Sequence, residues 1–258
     1  MALKLLLLGG TTEASRLAAL LAGRPDVAPI LSLAGRTRDL APSPIPRRIG
    51  GFGGVDGLIR FLQNEGIAAV VDATHPFAAQ ISANATKACT ALDLPLARLT
   101  RPAWTSQAGD RWQEVASAEA AAAALGEAPK RVFLTVGRLS LHAFAAVPQH
   151  HYLVRTIDAP DGLALNVTLI QARGPFSADA EEVLMRREGI EILVTKNSGG
   201  EATAGKLVAA RHLGLPVIMV ARPDKPAVPT FYAPEEVMGW LETAAASNLP
   251  LEGGGRSA

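Results

Sequence analysis

The sequence predicts an α/β protein of two parallel-sheet halves with a cleft between them, and three observations carry that prediction. Short apolar runs alternate with helical patterns through nearly the whole chain. Apolar residues make up 48% and aromatics only 5%, an Ala/Leu/Val-rich diet that suits buried parallel strands better than a sandwich. The chain also opens on an apolar strand, a glycine turn and a helix: Lys4-Leu5-Leu6-Leu7-Leu8-Gly9-Gly10-Thr11-Thr12-Glu13-Ala14. In that order a Rossmann-like half presents a helix N-terminus to a phosphate, with glycines that let the backbone approach. The spacing is not Gly-x-Gly-x-x-Gly, because Gly9 and Gly10 are adjacent and no third glycine follows; a plain strand-to-helix turn is the competing explanation.

Taken in order, the first half places strands at 3–8, 28–34, 67–72 and 95–99, with helices at 12–23, 55–65 and 77–92 between them. A Pro-, Trp- and Gly-containing passage, Arg101 to Asp110, separates the halves. Strands are then expected near 131–136, 151–155, 167–172, 191–195 and 216–220, with helices near 117–125, 177–188, 202–212 and 235–245. This gives an N-terminal cofactor-binding domain over 1–100, a second Rossmann-like domain over 101–246, and a disordered tail over 247–258 that carries three successive glycines.

Whole-chain properties exclude several classes. At 258 residues the chain easily buries a proper core. A formal charge of +1 supplies no global field for nucleic acid, so an anionic ligand must be met by local cations. The single cysteine, Cys89, excludes an internal disulfide and a multi-cysteine metal site and reads as a small hydrophobe on a helix. Residues 3–8 are too short for a secretory h-region, and no apolar run nears the roughly 18 residues of a membrane span. The expectation is a soluble, cytoplasmic protein with no metal, no nucleic acid and no membrane among its partners.

In an open parallel sheet the ligand sits outside the carboxyl ends of the strands. After the second strand comes Gly35-Arg36-Thr37-Arg38, where an acid would take the ribose hydroxyls of NAD and an arginine accommodates the 2′-phosphate of NADP. Gly50-Gly51-Phe52-Gly53-Gly54 follows, either as a second close approach of backbone to cofactor or as a tight connection plugged by Phe52. The strand at 67–72 runs into Asp72-Ala73-Thr74-His75-Pro76-Phe77-Ala78. Pro76 there suits a first helical turn, with Thr74 or His75 as its cap and Asp72 in a structural role. His75 could equally donate to a phosphate or relay a proton. In the second half, four strand ends each carry one cation: Arg138, Arg173, Lys196 and Arg222. Their convergence on one sheet edge points to a polyanion, either phosphates or a molecule with many carboxylates. Arg101-Pro102-Ala103-Trp104 adds a cation and a stacking face at the junction.

Together these stretches, with Gly137-Arg138, Arg173-Gly174-Pro175-Phe176 and Thr195-Lys196-Asn197-Ser198-Gly199, resemble the precorrin-6A reductase family of cobalamin biosynthesis, in order from residue 3 to about 240. The resemblance implies hydride transfer from NADPH to one double bond of precorrin-6A, giving precorrin-6B, with a tetrapyrrole as substrate and neighbouring pathway enzymes as partners. It places the cofactor pyrophosphate at Gly9, Gly10, Thr11 and Thr12, the 2′-phosphate at Arg36 with Thr37, and further cofactor contacts at Gly53 and Thr74. The macrocycle carboxylates would meet Arg101, Arg138, Arg173, Lys196 and Arg222, with Ser198 beside them. His75 and Lys196 are the proton-donor candidates, although the macrocycle nitrogens can themselves hold the proton. The alternatives are a cobalt-precorrin-6A reductase using NADH, and a non-catalytic dinucleotide sensor. A short-chain dehydrogenase needs a Tyr-x-x-x-Lys pair, whereas Tyr152 and Tyr232 are followed four residues on by Thr156 and Glu236. An S-adenosylmethionine-dependent transferase would leave Arg36 without a phosphate.

Overall fold

A computed structural model describes residues 2–35, 42–157 and 166–247. In chain order the elements begin β1 (Leu3–Leu8), α1 (Thr12–Leu21), β2 (Val27–Leu33), β3 (Arg47–Ile49), α2 (Gly54–Glu65), β4 (Ala69–Asp72), α3 (Ala79–Leu92) and β5 (Leu96–Leu99). They continue with β6 (Arg111–Val115), α4 (Ala118–Ala124), β7 (Arg131–Thr135), a 3₁₀ stretch (Arg138–Ala146), β8 (His151–Thr156), β9 (Val167–Gln171) and α5 (Ala178–Arg187). The last are β10 (Ile192–Lys196), a 3₁₀ turn (Glu201–Thr203), α6 (Gly205–His212), β11 (Pro216–Val220), β12 (Thr230–Phe231) and α7 (Pro234–Ser247). No helix among the described residues is long and apolar enough to cross a membrane.

The strands form two six-stranded parallel sheets, ordered β12-β5-β4-β1-β2-β3 and β6-β11-β10-β7-β8-β9. Both orders reverse beside a central strand, at β1/β4 and at β7/β10, and the crevice outside such a switch point is where open α/β sheets bind ligands. β1 shows why the sequence builds this. Leu5 and Leu7 face one way, into a core with Leu17 and Leu21 of α1. Leu6 and Leu8 face the other, onto Leu58 and Leu62 of α2 and Cys89 of α3. A strand apolar at every position therefore sits between two helical layers. In the second sheet Phe133, Leu153 and Leu193 pack on Met185 of α5 and Leu207 of α6.

The chain divides into two units, one of Met1–Arg101 with everything from Asp224 on, the other of Pro102–Pro223. This corrects the expectation that 101–246 forms one domain. β12 pairs with β5 through Thr230↔Arg98 and Phe231↔Leu99, and Val237 and Leu241 of α7 join the core of β1 and α1. The sixth position of the second sheet is taken by β6, beside β11. A linear alternation of strands and helices carries no label saying which sheet each joins. β3, β6 and β12 were not anticipated either: they are short edge strands such as Arg47-Arg48-Ile49, with no apolar run to mark them. Arg36, Thr37 and the tail from 248 lie outside the described residues.

Candidate active site

In the first unit the switch point is built from the ends of β1 and β4. Gly9 donates its N–H to Ser32 O at 2.9 Å, and a Cβ on it would lie 2.5 Å from Leu31 Cδ1. Gly10 has φ +113°, which favours glycine. Thr11 caps α1: its Oγ1 accepts from Ala14 N at 3.1 Å and donates to Ala73 O at 2.8 Å. One hydroxyl thus starts the helix and ties the β1 turn to the β4 turn. The N–H groups of Thr12 and Glu13 have no intrahelical acceptor by position and open α1. Glu13 would oppose an anion there, but its Oε2 lies 3.0 Å from Arg101 Nη1, each side chain being only 18% exposed. Arg101 therefore serves the first unit, as the counter-ion of Glu13.

Beyond β3, Gly50, Gly53 and Gly54 all have positive φ, and a Cβ on any of them would meet nothing within 4 Å. Gly53 is the N-cap of α2, which has no side-chain cap. Phe52 packs with the second core and meets Phe61 edge to face at 5.2 Å. At Gly57 a Cβ would lie 1.6 Å from Phe52 O, so the loop is pressed onto α2. The plug and the open glycine turn coexist.

The turn after β4 is held by Asp72, which is buried. Its Oδ1 accepts from Thr74 N at 3.1 Å and Thr74 Oγ1 at 2.6 Å. Its Oδ2 accepts from Ser82 Oγ at 2.6 Å and lies 3.5 Å from Arg98 Nε. This corrects the expected cap: α3 starts at Ala79 behind Ala78, and neither Thr74 nor His75 caps it. The competing Asx-type bond captured Thr74 instead. His75 Nδ1 accepts from Phe77 N at 3.2 Å, which in the neutral ring leaves the proton on Nε2. Lys225 Nζ donates to His75 O at 3.2 Å.

In the second unit the β7 and β10 ends carry Gly137-Arg138 and Asn197-Ser198-Gly199. Gly137, at φ +78°, turns the chain into the 3₁₀ stretch, and Arg138 is exposed at its start. Asn197 pairs with the Trp104 backbone in both directions, at 2.8 and 2.9 Å, and Trp104 Nε1 donates to Gly200 O at 3.0 Å. Arg222 donates to the carbonyls of Asn197, Ser198 and Pro102 at 2.9, 3.1 and 3.2 Å. Gly199, φ +70°, admits no side chain, since a Cβ would lie 2.1 Å from Pro102 O. Arg222 thus braces this loop through Nε and Nη2. Lys196 is half-buried, and burial lowers its ammonium pKa from the ordinary lysine value. Arg173 is exposed beyond β9, ahead of the cis Gly174–Pro175 bond.

Two arginines escaped the sequence reading. Arg155, near the end of β8, pairs with Glu181 through both guanidinium nitrogens, and its Cζ lies 3.8 Å from the Phe176 ring centroid and 4.9 Å from that of Phe133. Arg48 on β3 is similarly stacked, 4.0 Å from the Phe52 centroid. No local signal marks them: Phe176 lies 21 residues beyond Arg155, and Phe52 is four residues beyond Arg48. The first unit brings Gly9, Gly10, Thr11, Thr12 and Thr74 together, with Gly53 across β2. The second lines up Arg138, Arg173, Lys196, Ser198 and Arg222 on one sheet edge.

This arrangement was compared with known proteins. Residues 4–242 match the family model described as precorrin-6x reductase CbiJ/CobK. A precorrin-6A reductase of Rhodobacter capsulatus is 52% identical over 240 residues, 92% of this chain and 95% of that protein. A cobalt-precorrin-6A reductase of Priestia megaterium is 30% identical over 85% of this chain and 90% of that protein. A solved structure of a CobK precorrin-6A reductase superposes with a TM-score of 0.87 at 50% identity, covering 94% of this chain and 97% of that one. With two parallel sheets, switch-point turns and a match spanning nearly the full length, this chain belongs to the precorrin-6x reductase family.

Proposed function

We propose that this chain is a precorrin-6A reductase that uses NADPH to reduce one double bond of the macrocycle, giving precorrin-6B in cobalamin biosynthesis. The observation that carries it is the 52% identity to the Rhodobacter capsulatus precorrin-6A reductase. The lower, 30% identity to the Priestia megaterium cobalt-precorrin-6A reductase favours the metal-free substrate.

The first unit fits a dinucleotide: Gly10 and the Gly50–Gly54 loop leave open backbone where side chains would stand, and Arg101 neutralises the one acid at the mouth of α1. The N–H groups of Thr12 and Glu13 would hold the pyrophosphate, with Gly9, Gly10 and Gly53 giving access, while Thr11 and Asp72 fix the turns on either side. Arg36 with Thr37 would take the 2′-phosphate. Bound nicotinamide supplies the hydride to carbon, and the accompanying proton goes to a macrocycle nitrogen. Lys196, its pKa lowered by burial, or His75 in its protonated form would deliver that proton, whereas neutral His75, with its proton on Nε2, would orient the ring by a hydrogen bond. Arg138, Arg173 and Ser198 would meet acetate and propionate arms, Ser198 from a loop that Arg222 holds in shape.

The test is fluorescence titration of NADPH and NADH against the wild type and Arg36→Ala. NADPH should bind more tightly, and the preference should fall by about tenfold or more in the variant, the scale of a lost charge-assisted contact. Equal affinities in the wild type would remove the NADPH assignment while leaving the reductase assignment to the turnover assay.

A further inference from the structure

Arg48 is a half-buried cation with no carboxylate partner among the described residues. It stands on β3 opposite Ser32 of β2. Its Nη1 donates to Ser32 Oγ at 2.8 Å and to Gly50 O at 2.9 Å, and its Nη2 donates to Gly51 O at 3.1 Å. Its Cζ lies 4.0 Å from the Phe52 centroid and 5.1 Å from that of Phe61 on α2. A planar fork can bond along its edges while its faces stack; an ammonium cannot do both. Burial pulls the Arg48 pKa below the ordinary arginine value, so an aliphatic side chain would be easier to place here unless the fork has a task.

Peptide geometry indicates the task. In a trans peptide the C=O and N–H point in opposite directions. The carbonyls of Gly50 and Gly51 point at the guanidinium, so the N–H groups of Gly51 and Phe52 point away from it. The Gly50 N–H is fixed separately, to Leu33 O at 2.9 Å. Around Gly50, Gly51, Gly53 and Gly54 a Cβ would meet nothing within 4 Å. The loop is therefore held from one side by Arg48 and open around its glycines, and backbone N–H groups of successive residues can hold an anion.

We propose that Arg48 is a positioning residue for the nucleotide: it sets the Gly50 and Gly51 peptides so that the Gly51 and Phe52 N–H groups face an anionic group of the cofactor. The inference rests on the first unit being the nucleotide site. Arg48 itself touches no reacting atom.

The test is titration of NADPH and NADH against Arg48→Lys and Arg48→Met, with KM for nucleotide and macrocycle measured alongside. Both variants should bind nucleotide about tenfold more weakly, with kcat at saturating nucleotide within about twofold and KM for the macrocycle unchanged. Arg48→Lys keeps the charge and most of the stem, and decides the matter if Arg48→Met does not fold. Wild-type affinity in a folded Arg48→Lys overturns the proposal, because charge without the fork would then suffice. A fall in kcat and thermal stability without a selective rise in nucleotide KM also overturns it, by making Arg48 a packing residue. A wild type that binds neither nucleotide removes the underlying site; a wild type that binds nucleotide no more tightly than the folded variants removes this inference alone.

Discussion

His150, immediately ahead of β8, is fully buried, and neither ring nitrogen has a hydrogen-bond partner among the described residues. Burial and the Lys130 charge, against a smaller opposing pull from the Gly126 backbone, push its pKa below the ordinary histidine value of 6.5. The folded protein therefore holds a neutral imidazole, whereas the unfolded chain takes up a proton near pH ~6.5. Its contribution to stability is complete above that pH and is lost as pH falls below it, until the lowered folded-state pKa is reached. Denaturant unfolding between about pH 5 and 8 should show this acid limb, and His150→Leu should flatten it. An unchanged limb in the variant would locate the proton uptake elsewhere. Arg155, equally buried, differs in its surroundings: Glu181 pairs with it and two aromatic faces lie against it.

At the scale of elements, Thr11 joins a helix start to a strand end. Thr11→Val keeps the shape, removes the cap of α1 and leaves Ala73 O without its donor. The expected cost is about 1–3 kcal/mol in urea unfolding, with weaker nucleotide binding, and Thr11→Ser should restore both. A neutral Thr11→Val would mean the two turns are held by packing alone. The start of α1 was legible in the sequence because strand, glycines and helix follow one another locally. The start of α3 was not, although Thr74 and Pro76 looked like the same signal: Asp72, buried two residues earlier, captured Thr74. β3 and β12 were invisible for a different reason. Edge strands of two or three residues are defined by a partner, Ser32↔Arg48 or Thr230↔Arg98, and that partner is distant in sequence. The candidate cations divide along the same line. Their places after strands were readable, but nothing local separates Arg138, which is exposed, from Arg222, which donates to three carbonyls.

At the scale of the whole molecule, the two units differ in how the chain completes them. Pro102–Pro223 is continuous and supplies all six strands of its sheet, β6 through β11. The first unit is discontinuous: its sixth strand and a helix that shares one face of β1 with α1 arrive only after Asp224. Val237 is wholly buried and Leu241 nearly so against Leu5, Leu17 and Leu21. Removing α7 uncovers its share of that face, and truncating a single such leucine to alanine costs about 2–5 kcal/mol. Leu241→Ala should therefore lower the stability of the first unit by that order while leaving the amides of β7, β8 and β10 as protected as before. Hydrogen exchange resolved by segment reads the two units separately. A chain ending at Pro223 should keep slow exchange across β7–β11 and lose it in β1, β2 and β4, and its nucleotide affinity should go with them. Equal protection in both sheets after that truncation would mean that the first unit does not need its C-terminal strand and helix. Loss of protection in both would mean that the second sheet, although continuous in sequence, does not hold without the first.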